Sequence, residues 1–125
     1  IYACGDVAEL DGVYYGNWPA AIEMGKVAGA NSTGDNIKFE KFVSSTVFAA
    51  MNTQIFSAGT INFDDPNLEK IGYVDNTNNK YSKLFFANNK LVGGILIGDI
   101  SSSVKIINGI QNEEDKATVL SKGTI

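Results

Sequence analysis

Asp6 is the residue in this chain best placed by type and neighbourhood to hold a ligand. It follows Gly5 at the end of the apolar run Ile1-Tyr2-Ala3-Cys4, which has the composition of a short strand buried on both faces. Glycine has no Cβ and lets a ligand approach the backbone, while an ionised carboxylate only accepts hydrogen bonds. Together they suit a hydroxyl-bearing ligand such as a sugar or sugar alcohol, although Gly-Asp is also an ordinary turn pair. Cys4, the single cysteine, reads as a small core hydrophobe of that strand rather than a redox thiol. It cannot form an internal disulfide, which fits a reducing, cytoplasmic setting. The chain has no histidine, which argues against a structural zinc site or a histidine-based catalytic dyad.

A helix must stand behind this carboxylate if it is to form part of a site. After the polar stretch Glu9 to Asn17, residues Trp18 to Asn31 read as that helix. Pro19 suits a first helical position, and Glu23 early with Lys26 after it agrees with the macrodipole. Asn31 and Gly34 suit its end. Ala21, Gly25, Ala28 and Gly29 recur at helical spacing and make a thin face able to lie close to a sheet or a planar cofactor, or simply to pack tightly. Glu23 is available as a charge partner near that face, but pairing with Lys26 is the plainer reading.

These residues as a set resemble the last part of the FAD domain in pyridine-nucleotide-dependent flavoprotein oxidoreductases with two dinucleotide-binding domains. Ile1 to Ala8, Trp18-Pro19-Ala20-Ala21 and Glu23 to Asn31 look most like rubredoxin reductases, NADH oxidases and nitrite reductase large subunits. The resemblance implies that Gly5 and Asp6 bind the FAD ribityl chain, and that Trp18, Pro19 and Ala20 line the flavin at a helix start whose partial positive charge favours the reduced ring. No G-x-G-x-x-G occurs in the sequence, and the glycines from Gly25 to Gly34 lie within or after the helix rather than between strand and helix. The FAD and NAD(P)H cores are therefore expected upstream in the same polypeptide. An opening on a core strand without an initiator methionine agrees with a fragment, which alone should neither hold FAD tightly nor transfer hydride.

Composition sets the remaining bounds. With 125 residues, 44% apolar and a net charge of −4, the chain can build a core but carries no electrostatic footprint for nucleic acid or a membrane surface. The longest apolar stretches, such as Val92 to Ile97, fall far below the roughly 20 residues a spanning helix requires.

The pattern changes after Gly34, which places a domain boundary between residues 35 and 36. Residues 43–50, 53–61, 68–75, 80–88 and 90–97 read as strands, 68–75 and 80–88 forming a hairpin through Asn76 to Asn79, the turn pair Asn88-Asn89 leading into the last strand, and the whole arranged as an antiparallel meander. One of Ser101, Ser102 and Ser103 caps a helix through Gly109, with Val104, Ile107 and Ile110 toward the sheet; Ala117 to Ser121 adds a short helix before a frayed tail. Asp99 reads as the end of a strand and the start of the turn into that helix. The expected fold class is thus α+β: residues 1–35 end an FAD-binding domain with a strand and a helix, and residues 36–125 form a small antiparallel-sheet domain with C-terminal helices.

This second part is also similar to the C-terminal domain of the same reductases, through Ser45-Thr46, Ser57-Ala58-Gly59, Tyr81 to Phe86 and Leu91 to Asp99. The resemblance implies an accessory domain for assembly or acceptor docking, with a homo-oligomer or a small electron-transfer protein as partner, and it carries over no catalytic residue. Tyr81, Leu84 and Phe86 read as core. The competing reading is a self-contained, non-catalytic binding or assembly module.

Overall fold

The computed structural model describes residues 1–40 and 42–124, and its contacts divide the chain into two units, Ile1–Ser44 and Ser45–Ile125. The division falls nine residues beyond the boundary expected at 35/36, because Tyr15 packs edge-on against Phe39 and Phe42 at ring-centroid distances of 5.6 and 6.0 Å. Lys41, inside the expected strand approach, and Ile125, the end of the expected tail, lie outside the described residues.

The first unit is organised by one helix. α1 runs Trp18–Ser32, one residue longer than expected. Asn17 caps it, its Oδ1 accepting from the Ala20 N–H at 3.0 Å, and Pro19 occupies the second helical position, where a missing N–H costs nothing. Gly34, at φ +112°, supplies the left-handed residue that ends the helix. Asn31 then clasps the following chain, donating to the Ile37 carbonyl and accepting from the Ile37 N–H, both at 2.9 Å.

Ahead of α1 the expected strand is not formed. Residues 1–4 carry no sheet pairing and Gly5–Val7 is a single 3₁₀ turn. A strand buried on both faces requires neighbours on either side, and no described residue pairs with Ile1 to Cys4. Cys4 is consequently exposed within this chain.

The second unit is a five-stranded antiparallel sheet with two helices. Its strands are β1 (Ser45–Ala50), β2 (Thr53–Gly59), β3 (Glu69–Asp75), β4 (Lys80–Ala87) and β5 (Lys90–Ile97), matching the five expected segments. Their spatial order is β1-β2-β5-β4-β3, so the sheet is not a continuous meander. β5, the strand richest in branched aliphatics and glycine, takes the centre, and residues 60–68 carry the chain across to the far edge. Three hairpin turns use residues with positive φ: Met51-Asn52, Asn79 and Asn88-Asn89. The last was legible as a turn pair; Met51 was not, since methionine rarely adopts that conformation.

α2 (Ser103–Gln111) and α3 (Lys116–Ser121) complete the unit. α2 buries Ile106, Gly109 and Ile110 and leaves Val104 exposed, so the expected face is displaced. Residues 106, 109 and 110 follow the i, i+3, i+4 stripe, whereas a repeat of three drifts around the helix. Glycines let α2 lie close: a Cβ at Gly94 would stand 2.9 Å from Ile106 Cγ2, and one at Gly109 would stand 2.8 Å from Leu91 Cδ2. Phe56, Leu84, Phe85, Phe86, Leu91, Ile106 and Val119 are fully buried, each contributing about 1.5–3 kcal/mol by leaving water. The tail is held rather than frayed through Thr124, which is buried and donates its hydroxyl to the Val119 carbonyl at 2.8 Å.

Candidate functional site

Gly5 has φ +75°, a backbone conformation that side-chain-bearing residues adopt only at a cost, so glycine is needed here for its conformation. It lies against α1 near Ala21, whose Cβ is 3.5 Å from where a Gly5 Cβ would be. The 3₁₀ turn thereby sets Asp6 beside the first turns of the helix. The Asp6 side chain is exposed, and no described residue pairs with its carboxylate. Its main chain is engaged instead, the Asp6 carbonyl accepting from the Tyr14 hydroxyl.

At the helix start, Trp18 is 78% exposed and Pro19 is also open, whereas Ala20 is fully buried. The Ala20 N–H is taken by Asn17, so Ala20 seats the first turn and Trp18 and Pro19 present it outward. Asn17 is the positioning residue that sequence reading missed; the signal was an asparagine immediately before the helix. Its Nδ2 also donates to the Tyr15 carbonyl and to Ser44 Oγ, both at 3.1 Å. Glu23 and Lys26 form the expected i,i+3 pair at 2.6 Å.

A cavity of this unit lies elsewhere. A wide groove of about 670 Å³ is lined by Tyr2, Val7, Leu10, Met24, Val27 and Phe39 among others, and includes neither Asp6 nor Trp18. Many apolar residues of this unit are unburied: Ile1, Tyr2, Val7, Leu10, Val13, Tyr14, Trp18, Ile22 and Ile37 are all exposed.

In the second unit the residues similar to the reductase C-terminal domain serve structure. Ser57, Ala58 and Gly59 close β2, Leu84 and Phe86 are core, and Asp99 lies in the turn after β5. Asp99 Oδ2 accepts from Lys80 Nζ at 2.8 Å, and its Oδ1 from the Ser101 N–H at 3.0 Å. The hydrogen bond from Lys80 and those from Ser101 hold its carboxyl far below the usual carboxylate range, and the same bond to Asp99 raises the Lys80 ammonium.

Residues 45–114, more than half of the chain and most of the second unit, match the rubredoxin NAD+ reductase C-terminal domain family. The chain belongs to that family. Nitrite reductase [NAD(P)H] of Bacillus subtilis is 33% identical over 116 residues, covering 92% of this chain and 14% of that protein. NADH-rubredoxin oxidoreductase of Clostridium acetobutylicum is 31% identical over 114 residues, 91% of this chain and 29% of that protein. The crystal structure of the Clostridium acetobutylicum NADH:rubredoxin oxidoreductase matches with a TM-score of 0.71 at 26% identity, over 97% of this chain and 33% of that one. This rubredoxin NAD+ reductase C-terminal domain chain thus spans less than a third of either curated relative. Among its described residues no helix is long and apolar enough to cross a membrane.

Proposed function

We propose that this chain is the C-terminal part of an FAD-dependent NAD(P)H oxidoreductase, in which residues 1–35 end the FAD domain and residues 36–125 form an accessory domain for assembly or acceptor docking. The observation that carries this reading is the extent of the match: 114 aligned residues of an NADH-rubredoxin oxidoreductase exceed what the second unit holds, so the first unit is aligned as well. The first unit also leaves many large apolar residues exposed, which suits burial against the FAD and NAD domains upstream in the same polypeptide.

The residues present fit the cofactor. Asp6 offers an acceptor-only carboxylate uncommitted to any described side chain, on a turn that Gly5 alone among the standard residues adopts without strain. That donor chemistry suits the hydroxyls of a ribityl chain. Trp18 and Pro19 present an exposed planar and apolar edge at the positive end of α1, suited to the rim of a flavin ring. Ala20 lies behind them and holds the turn. Bound there, FAD would supply hydride acceptance from NAD(P)H and onward electron transfer. This chain's residues orient the ribityl chain through Asp6, exclude water through Trp18 and Pro19, and favour negative charge near the helix start. The segment alone lacks a glycine-rich dinucleotide turn and is proposed to be inactive.

The native mass in source cells tests this reading. An antibody against residues 36–125 should detect a flavin-bearing species several times heavier than 13.4 kDa. A colourless band at 13.4 kDa would overturn it in favour of a self-contained binding or assembly module.

A further inference from the structure

α2 covers one face of the five-stranded sheet: a Cβ at Gly94 would stand 2.9 Å from Ile106 Cγ2, and Gly94 pairs with Leu84. Side chains alternate between faces along each strand, so the registers set the composition of the other face. Phe48 pairs with Ile55, Ile55 with Ile97, Ile97 with Tyr81, and Tyr81 with Val74. These residues form a single row across all five strands, from the β1 edge to the β3 edge, on the face opposite α2. None is buried: Phe48 is 57% and Val74 58% exposed, and the three between them are half-buried. An antiparallel sheet with one solvated face normally carries polar residues there. In this row the Tyr81 hydroxyl is the one polar side-chain group.

The adjoining row is Thr46, Ser57, Ile95, Lys83 and Gly72. Its charge, the Lys83 ammonium, rests over the Phe63 and Tyr81 rings, 5.0 and 5.9 Å from their centroids. Phe63, half exposed and edge-on to Phe85 at 5.4 Å, extends the apolar surface beside Lys83.

From this row we propose that the open sheet face is the contact between two copies of this chain, packed sheet on sheet about a twofold axis along β5. The row is self-complementary about that axis. Phe48 falls over the partner's Val74, Ile55 over the partner's Tyr81 and Ile97 over the partner's Ile97, so a larger side chain meets a smaller one on each flank. Neither row holds a carboxylate. Lys83 falls over the partner's Ser57, whose hydroxyl accepts a hydrogen bond, so closing the face leaves no buried charge unpaired. Five strands about 4.8 Å apart, each about 20–26 Å long, present about 500 Å² per copy. A pair then buries about 1,000 Å², the threshold for a specific interface, and affinity lies on the order of micromolar. The proposal deepens the assembly role given above to residues 36–125 and rests on that part of the reading.

Sedimentation velocity on the native-length polypeptide, between about 1 and 100 µM, tests the contact. A reversible monomer–dimer equilibrium is expected. Phe48→Lys and Val74→Glu should each weaken it about tenfold or more with an unchanged urea midpoint, because both side chains are exposed on edge strands. The double variant sets opposite charges against each other on both flanks and should recover most of the lost affinity. If Phe48→Lys fails to fold, Val74→Glu alone must still weaken association. A monomer at every concentration, a dimer indifferent to these variants, or a double variant no tighter than the single ones would overturn the proposal. So would a native-length monomer beside a dimeric 125-residue chain, which would assign the face to another part of the same polypeptide. Flavin absorbance of the same samples reads the proposed function separately. A colourless dimer of 13.4 kDa chains supports this contact and overturns that reading, and a yellow monomer does the reverse.

Discussion

Gly59 and Gly93 are paired across β2 and β5, and neither position has room for a side chain. A Cβ at Gly93 would lie 2.0 Å from the Thr60 carbonyl oxygen, and one at Gly59 would lie 2.2 Å from that of Val92. The chain leaves β2 here with Gly59 at φ +70°, and the Thr60 N–H bonds the Val92 carbonyl at 2.7 Å. The pair lets the crossing segment leave the sheet without opening its centre.

Gly93→Ala should therefore destabilise the second unit by about 2 kcal/mol or more, since the obstacle is backbone rather than a movable side chain. Urea unfolding checks this: the midpoint should fall with the slope unchanged. A wild-type midpoint would show that the crossing tolerates the added methyl group.

Asp75, Asp99 and Asp115 are all held below the ordinary carboxylate range. The Asn78 side chain does this for Asp75, Lys80 and Ser101 for Asp99, and the Thr118 N–H for Asp115. A depressed folded value means stability that is present above the unfolded value of about 3.9 and is lost as pH falls through the folded one. Stability measured by urea midpoint should decline as pH drops below about 4, and Asp99→Asn should flatten that decline. Asp99 is exposed and Asp75 and Asp115 are only half-buried, so the effect of each is modest. Lys80 acts in the opposite sense: its raised value gives stability below about pH 10.4 that is lost at still higher pH.

Asp115 caps α3 by accepting from the Thr118 N–H at 2.8 Å. Asp115→Ala should cost about 1 kcal/mol, and Asp115→Asn much less, because asparagine is an equally good cap. Equal losses in thermal unfolding would assign the effect to charge instead.

On the proposed function, Asp6→Ala in the intact protein should weaken FAD retention by about 1.5–3 kcal/mol, or roughly tenfold to a hundredfold. Flavin occupancy after dialysis is the readout, and unchanged occupancy counts against the ribityl role. In the 125-residue chain alone, added FAD should show little saturable binding.

Much of the second unit was legible. Alternating and branched-aliphatic runs marked all five strands, Asn88-Asn89 marked a hairpin, and serines before an apolar stripe marked α2. Strand order was not legible, because β5 pairs with β2 across an intervening hairpin and local patterning carries no information on such long-range pairing. The buried face of α2 was legible only in part: Ile110 is buried as expected but Val104 is exposed, since a spacing of three was followed where 3.6 residues per turn governs. The opening residues went wrong for a different reason: Ile1 to Cys4 have strand composition, yet composition cannot supply the neighbouring strands that would bury them.

By itself the sequence determined the element types, the helix after Asn17, the family resemblance and the absence of a dinucleotide fingerprint, since each depends on residues close together in the chain. Tertiary structure alone decided that Asp6 stands open beside α1, that Gly59 meets Gly93, and that Phe48, Ile55, Ile97, Tyr81 and Val74 stand in one row. Those relationships join residues far apart in sequence, and packing chooses among the pairings that local preference leaves equal.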